Sequence, residues 1–413
     1  MTQLNITLNQ EEILQLLGEN RGDAFRKLLE NSLNSILKAE SAEQLNAAPY
    51  ERSSERTGSR NGFRERELTT RIGTITLRVP KHRGGQPFKT IIFSSYSRSE
   101  AALVAGMAEM VVNGVSTRKV TQIMEALCGT SYSKSAVSDL CKDLDRQVEE
   151  FRLRPITGRY PFMAVDATYF KVRENYRIVS KAFIIAYGTN DSGIREVLGF
   201  GVYPKESKEA WKDFLYGLRN RGLDGLQMVT SDAHEGIRYA LDQIFPGVPW
   251  QRCQLHFCQN IADKVPGKYR PGIRAELQEM FQSGTRNDAR KKKDEILKSY
   301  GDIAEPAMNC LDEGFESAMT VLALPLGMRR FFRTSNHIER LNRELKRRSR
   351  VIGVFPNEQS LLRLMGSVLM ERNEVIQGSK AVFSNASFRV FIGSEAPGRL
   401  AALAEEQHLL LVA

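Results

Sequence analysis

Three acidic residues stand where packing alone gives no reason for a charge: Asp166, Asp232 and Glu339. Asp166 follows the apolar run Phe162-Met163-Ala164-Val165, and Asp232 follows Leu226-Gln227-Met228-Val229-Thr230-Ser231. Glu339 opens an arginine-rich stretch. Phosphodiester cleavage and joining need a water or hydroxyl activated in line with phosphorus. They also need charge neutralised on the phosphate and on the leaving oxygen. Two magnesium ions roughly 3.5–4 Å apart meet both needs. Magnesium is a hard ion that takes carboxylate oxygens and keeps waters or phosphate oxygens. Two aspartates on strands plus a distant helical glutamate are the donors such a site requires.

Each acid alone also has a plain structural use. Asp166 can cap a turn, Asp232 in Ser231-Asp232-Ala233-His234 can cap a helix, and Glu339 can pair with Arg343. In this order and in a basic chain, the shared metal site is the stronger reading. The segment from Thr334 to Arg348 begins with capping residues and continues as a helix. Ile338, Leu341 and Leu345 form its apolar stripe. Glu339, Arg343 and Lys346 share another face, an acid for metal flanked by bases for DNA. Arg340, Arg347 and Arg348 on the same helix join the expected DNA contacts. Glu344 competes as the third acid. It lies five residues on, roughly 140° round the helix, so both glutamates cannot point into one site. Helix geometry favours Glu339, because Glu344 lies nearer the apolar stripe.

The elements that must position these acids are legible from residue 160. Tyr160–Phe170, Ile178–Gly188 and Arg195–Tyr203 read as strands, with a turn at Gly188–Gly193. A helix (Ser207–Leu218), a strand (Leu226–Thr230), a helix (His234–Ile244), a short strand near Val248–Arg252 and a helix from about Gln254 follow. This order predicts an α/β, ribonuclease-H-like core: an antiparallel meander whose first strand also pairs with a parallel βαβ unit. Asp166 and Asp232 then sit on neighbouring strands. Glu339 comes 107 residues after Asp232. A helical insertion, broken at Gly284, Gly301 and Pro306, accounts for that gap. Its Arg290-Lys291-Lys292-Lys293 block reads as a solvated face. The chain is helical again to about Ile376 and less regular beyond.

Upstream, apolar residues from 9 to 48 recur at helical spacing, interrupted at Gly18–Gly22, and suit internal packing or a dimer contact. Residues 51–90 carry ten basic and four acidic side chains, a net +6. They read as a basic arm tracking phosphates, with Arg71–Pro80 alternating like a strand. Arg60, Arg64, Arg66, Arg71, Lys81 and Arg83 are its expected phosphate contacts, since arginine forks suit phosphate oxygens. From 100 to 150, Ser116 and Ser133 can cap two helices joined by the turn Cys128–Tyr132, with Val137, Leu140, Cys141 and Leu144 on the second helix's inner face. This resembles a helix-turn-helix. Lys134, Ser135 and Ser138 would face the groove.

The bulk numbers agree. A chain of 413 residues, 26% charged and 41% hydrophobic, holds two to four ordinary globular domains. A net charge of +10 points to a polyanionic partner, most plausibly nucleic acid. No apolar run has the length of a membrane span, and the N-terminus lacks signal-peptide features, so a cytoplasmic, nucleoid-associated protein without a membrane partner is expected. Five scattered cysteines (128, 141, 253, 258 and 310) suggest reduced thiols. Cys253 and His256 form a C-x-x-H unit near Cys258, but no second pair completes a zinc site. His256 is expected near DNA phosphate or a catalytic carboxylate, and Trp211 in the core.

The ordered motifs resemble one family. They are Arg60-Asn61-Gly62-Phe63-Arg64-Glu65-Arg66, Thr74–Lys81, Val165-Asp166-Ala167, Ser231-Asp232-Ala233-His234-Glu235-Gly236, Trp250–His256 and Arg333–Arg348. Across nearly the whole chain they look like bacterial insertion-sequence transposases of the Mutator family, relatives of plant mutator-like elements. The resemblance implies a DDE triad carried onto Asp166, Asp232 and Glu339, holding two magnesium (or manganese) ions. It implies an N-terminal region that binds terminal inverted repeats and helps to form a homodimer, double-stranded element and target DNA as partners, and water-driven cleavage followed by strand transfer. The expected layout is 1–48 helical packing or dimerisation region, 49–98 basic arm with short strands, 99–155 helix-turn-helix-like domain, 156–262 first part of the core, 263–332 insertion, 333–395 last part of the core with the catalytic helix, and 396–413 tail. A ribonuclease-H-like nuclease or resolvase that hydrolyses without joining is the alternative. The DNA-binding apparatus of residues 1–150 argues against it.

Overall fold

Leu29, Leu33 and Leu37 recur at four-residue steps, and that stripe is the packed face of α1 (Arg21–Leu45). The computed structural model describes residues 21–49, 51, 56–70, 73–84, 86–90, 101–128 and 134–412. It divides into two units, Met1–Lys142 and Asp143–Ala413. In the first unit, α1 covers a hairpin of β1 (Ser59–Thr70) and β2 (Gly73–Arg83), burying Leu68, Ile75, Leu77 and Val79. This assigns the described part of the N-terminal stripe to internal packing; residues 9–20 lie outside the described residues. The segment from Ser59 to Arg66 is a strand rather than an irregular arm. Most of its side chains are wet on both faces, so no alternation marks it. Three helices follow: α2 (Ala101–Val112), α3 (Thr117–Cys128) and α4 (Lys134–Leu153). Met107, Val120, Met124 and Val137 form their small core. The Ser116 hydroxyl accepts from the Lys119 N–H at 3.3 Å, capping α3 as expected. The turn with Ser133 lies outside the described residues.

The second unit is built on a five-stranded mixed sheet. In spatial order it runs β5 (Arg195–Tyr203), β4 (Arg177–Thr189), β3 (Phe162–Glu174), β6 (Met228–Ser231) and β7 (Trp250–Arg252). β3, β4 and β5 form an antiparallel meander, and β6 and β7 add in parallel. β3 and β4 run past their expected ends to a two-residue turn at Asn175 and Tyr176, both at positive φ. The polar residues Lys171, Arg173 and Glu174 hide this extension from an apolar reading. Glu174 pairs across the hairpin with the buried Lys181, which Glu358 also holds.

Alternation along β4 sends Ile184 and Ala186 to one face and Phe183, Ile185 and Tyr187 to the other. The first face is covered by α5 (Lys208–Asn220) and α6 (Glu235–Ile244). Ser207 caps α5, and Trp211, fully buried, anchors it with Phe214, Leu215 and Leu218 at helical spacing. The second face is covered by Ile338, Leu341 and Leu345 of α12 (Asn336–Ser349) and by Leu361, Met365 and Leu369 of α13 (Glu358–Gln377). Between β7 and α12 the chain is helical: α7 (Gln254–Asp263), α8 (Arg270–Phe281), α9 (Arg286–Tyr300), α10 (Glu305–Ala318) and α11 (Leu326–Phe332). Arg290, Lys292 and Lys293 on α9 pair with Glu316, Glu279 and Asp312.

Beyond residue 377 the chain is more regular than its sequence suggests. α14 (Asn385–Ile392) and α15 (Ala396–Val412) bury Phe391, Leu400 and Leu403 against Phe162. The Gln407 side chain accepts from the N–H of Trp250 at 2.7 Å and donates to its carbonyl at 2.9 Å, which closes the edge of β7. No helix among the described residues is long and apolar enough to cross a membrane.

Candidate active site

Parallel pairing brings the first two acids near each other. Ala164 on β3 pairs with Thr230 on β6. Asp166 and Asp232 each stand two residues further along the chain, and they lie close enough for the charge of Asp232 to act on Asp166. β6 stops at Ser231, which leaves Asp232 in the loop beyond the strand. It does not cap the following helix. His234 does, its Nδ1 accepting from the Gly236 N–H at 3.1 Å.

The third acid arrives by a different route. The segment before α12 is tied to the ends of β6 and β7. Thr230 Oγ1 donates to the Phe332 carbonyl at 2.9 Å, Gln254 N–H to the Arg333 carbonyl at 3.0 Å, and Ser335 N–H to Cys253 Sγ at 3.4 Å. The apolar stripe of Ile338, Leu341 and Leu345 then seats α12 on the sheet. Glu339 and Asn342, on its next face, point back toward the aspartates.

His256 links these groups. Its Nδ1 contacts the Asp232 carboxylate, and its Nε2 lies 3.7 Å from Glu339 Oε1. The hydrogen bond to Asp232, then that to Cys253, pushes the imidazole up to about 11. Its position between two carboxylates favours the protonated ring. Burial, then the charge of Asp232, pushes Asp166 up to about 7. The N–H of Ala167 at 2.8 Å, the His256 charge and the Asn342 amide at 2.6 Å work against that rise. An acid cluster with this demand for positive charge fits a hard divalent ion.

Among the described residues, one group of three potential ligands lies within 4.8 Å of one another: Asp232, Cys253 and His256. Its thiol and imidazole are softer than magnesium prefers. No fourth such residue joins it, and Cys253 Sγ already accepts from Ser335. The three carboxylates approach one another around His256 rather than meeting at one point.

The other candidate residues fall into distinct settings. Glu344 faces away from the aspartates and is held by Arg347, Arg348 and Arg372. Those bonds pull its carboxyl down to about 2. Arg340, Arg343, Lys346 and Arg347 are exposed, whereas Arg348 is buried against Glu344 and Glu371. Burial therefore withdraws Arg348 from the DNA-facing set. Arg60 is also committed, donating to the carbonyls of Ala47 and Ala48 at 2.6 and 3.1 Å. Arg64, Lys81, Arg83 and Ser138 are exposed, and Arg66 is partly buried. Arg71 and the side chains of Lys134 and Ser135 lie outside the described residues. Sequence reading missed Asn342. Its only signal is a position three residues after Glu339, on the same helix face.

Residues 1–378 match the model of "Transposase, Mutator family". The chain is 40% identical over 378 residues to the transposase for insertion sequence element IS256 in transposon Tn4001 from Staphylococcus aureus, covering 91% of this chain and 96% of the relative. It is 39% identical to the transposase for ISRM5 of Rhizobium meliloti, covering 85% and 88% respectively. It is 36% identical to the transposase for IS1081 of Mycobacterium tuberculosis, covering 92% of each. With a family model spanning nine-tenths of its length and relatives this similar over most of theirs, the chain belongs to the Mutator family of transposases.

Proposed function

We propose that this protein is an insertion-sequence transposase whose ribonuclease-H-like core cuts and joins DNA through Asp166, Asp232 and Glu339. The observation that carries the reading is Asp166 on β3 beside Asp232 just past the end of the parallel β6, with Glu339 brought to them through His256. Family membership and a net charge of +10 support a DNA substrate. Double-stranded terminal inverted repeats and target DNA are the proposed partners, with a homodimer as the working form.

Asp166, Asp232 and Glu339 would hold two magnesium or manganese ions. Such ions, when bound, neutralise the scissile phosphate and activate the attacking oxygen. The residues of the chain supply the rest. Asn342 fixes the Asp166 carboxylate, so that its free lone pairs face the cluster. His256 balances Asp232 and Glu339 in the metal-free arrangement, and its imidazolium must yield or turn when another cation takes that charge. The exposed bases Arg340, Arg343 and Lys346 stand on the same helix as Glu339 and suit the flanking phosphates.

The test incubates the protein with magnesium and a labelled DNA end and follows strand-transfer product. Asp166→Ala is expected to abolish it. Transfer surviving in that variant would overturn the site assignment. Hydrolysis without joining in the unaltered protein would instead favour a nuclease.

A further inference from the structure

α12 presents two opposed faces. At about 100° per residue, Glu339 and Asn342 lie on the side of the aspartates, while His337, Arg340, Glu344 and Arg347 turn the other way. That second face lines a cavity of about 550 Å³. Tyr187, Arg195, Arg372 and Lys380 contribute the facing wall.

The charge in this cavity is unbalanced. Six of its lining side chains are Arg or Lys, and Glu344 is its one acid. Glu344 is already divided between Arg347 at 2.6 Å, Arg348 at 3.1 Å and Arg372 at 3.3 Å. Arg195, Arg340, Arg343 and Lys380 have no carboxylate within 4.0 Å among the described residues. Arg195 is the informative member. It is largely buried and donates once, to the Phe331 carbonyl at 3.1 Å, while its Nε has no partner. Its other close charge is Arg340, a like charge. A desolvated guanidinium facing a like charge without an anion is costly, so the cavity is electrostatically incomplete at Arg195.

The remaining lining describes the missing anion. Val375, Ile376 and Val382 give an apolar side, and His337 packs against Tyr187 in a tilted pair with ring centroids 5.0 Å apart. An apolar side beside a guanidinium cluster fits a sugar–phosphate unit better than a free inorganic anion. The volume lies in the range of clefts that enclose a ligand of that size. We propose that this cavity holds the backbone of the DNA strand being processed, within a few nucleotides of the bond at the acidic site. A helix is about 10–12 Å across with its side chains, and each strand of a duplex carries one phosphate per about 3.4 Å of its axis. A strand passing over α12 can therefore reach both faces. The proposal rests on the DNA-processing reading above.

The test uses the full chain in EDTA with a fluorescein-labelled random-sequence duplex carrying a 3′ overhang, titrated across a salt series. Lys380 is exposed and, like Arg195, lies off α12, so Lys380→Gln leaves the core intact and Lys380→Gln/Arg195→Gln removes two cavity cations that the acidic site does not share. The slope of log affinity against log salt should shrink by about one for the single variant and about two for the double. Lys298→Gln, an exposed charge on α9, should leave it unchanged. Unchanged slopes in both cavity variants, or an equal loss in Lys298→Gln, would overturn the proposal. The assay asks nothing of the acids. Loss of strand transfer in Asp166→Ala with an unchanged Lys380→Gln slope removes the cavity and keeps the function. A reduced slope with transfer intact in Asp166→Ala keeps the cavity and removes the acid assignment.

Discussion

Asn342 donates its side-chain amide to Asp166 at 2.6 Å, joining a buried position on α12 to the middle of β3 across 176 residues of sequence. That bond orients one carboxylate of the proposed triad from the helix that carries another. Removing the partner of a metal-binding group typically costs 10–100-fold in metal affinity or activity. Asn342→Ala should therefore lower strand transfer by about 10–100-fold and raise the magnesium concentration needed for half-maximal rate. A wild-type magnesium dependence in this variant would show that the bond serves folding alone.

Asp166 gives the metal-free protein a pH signature. Its folded carboxyl sits at about 7, above its ordinary value of 3.8, because burial and Asp232 oppose its charge. Between those values the folded state binds more protons than the unfolded one, so stability falls as pH rises through the window. Asp166→Asn removes that penalty. In EDTA at pH 8 it should be more stable than the parent by about 1–3 kcal/mol, with the advantage fading toward pH 4. Denaturant unfolding at both pH values checks this; a variant less stable at pH 8 contradicts it.

Glu344 has the opposite sign. Bonds to Arg347, Arg348 and Arg372 hold its carboxyl down at about 2, below its ordinary 4.5. Its contribution is complete above pH 4.5 and is lost as pH falls toward 2. Glu344→Gln should cost about 1–3 kcal/mol at pH 7, and the gap to the parent should close on acidification through that window. A gap that persists at low pH would assign the cost to packing.

Gln407 holds both backbone groups of Trp250 from α15. Gln407→Ala leaves two polar groups of an edge strand without that partner and should cost about 1–3 kcal/mol. Hydrogen exchange at Trp250 should quicken in the same variant. Unchanged protection there would mean that α15 holds the edge without this residue.

The sheet was legible because its central strands are apolar on both faces, and Asp166 and Asp232 were legible because each interrupts or follows such a run. The helical stripe of Ile338, Leu341 and Leu345 likewise fixed which side of α12 meets the sheet, leaving Glu339 to face the aspartates. Three features were not legible. β1 is wet on both faces, so it carries no period-two signal. α15 mixes apolar and polar residues without a clear stripe, and its fit depends on Phe162 and Trp250, distant in sequence. Arg195 and Arg372 read as ordinary surface bases until the fold brings them to α12.

Single-turnover strand transfer by Glu339→Gln, with magnesium and a labelled element end, bears most directly on the proposed triad. The variant should bind the labelled DNA in EDTA as the parent does, yet give neither cleavage nor joining when magnesium is added. Joining at the parental rate by Glu339→Gln would contradict the assignment of this glutamate and, with it, the metal site built around His256.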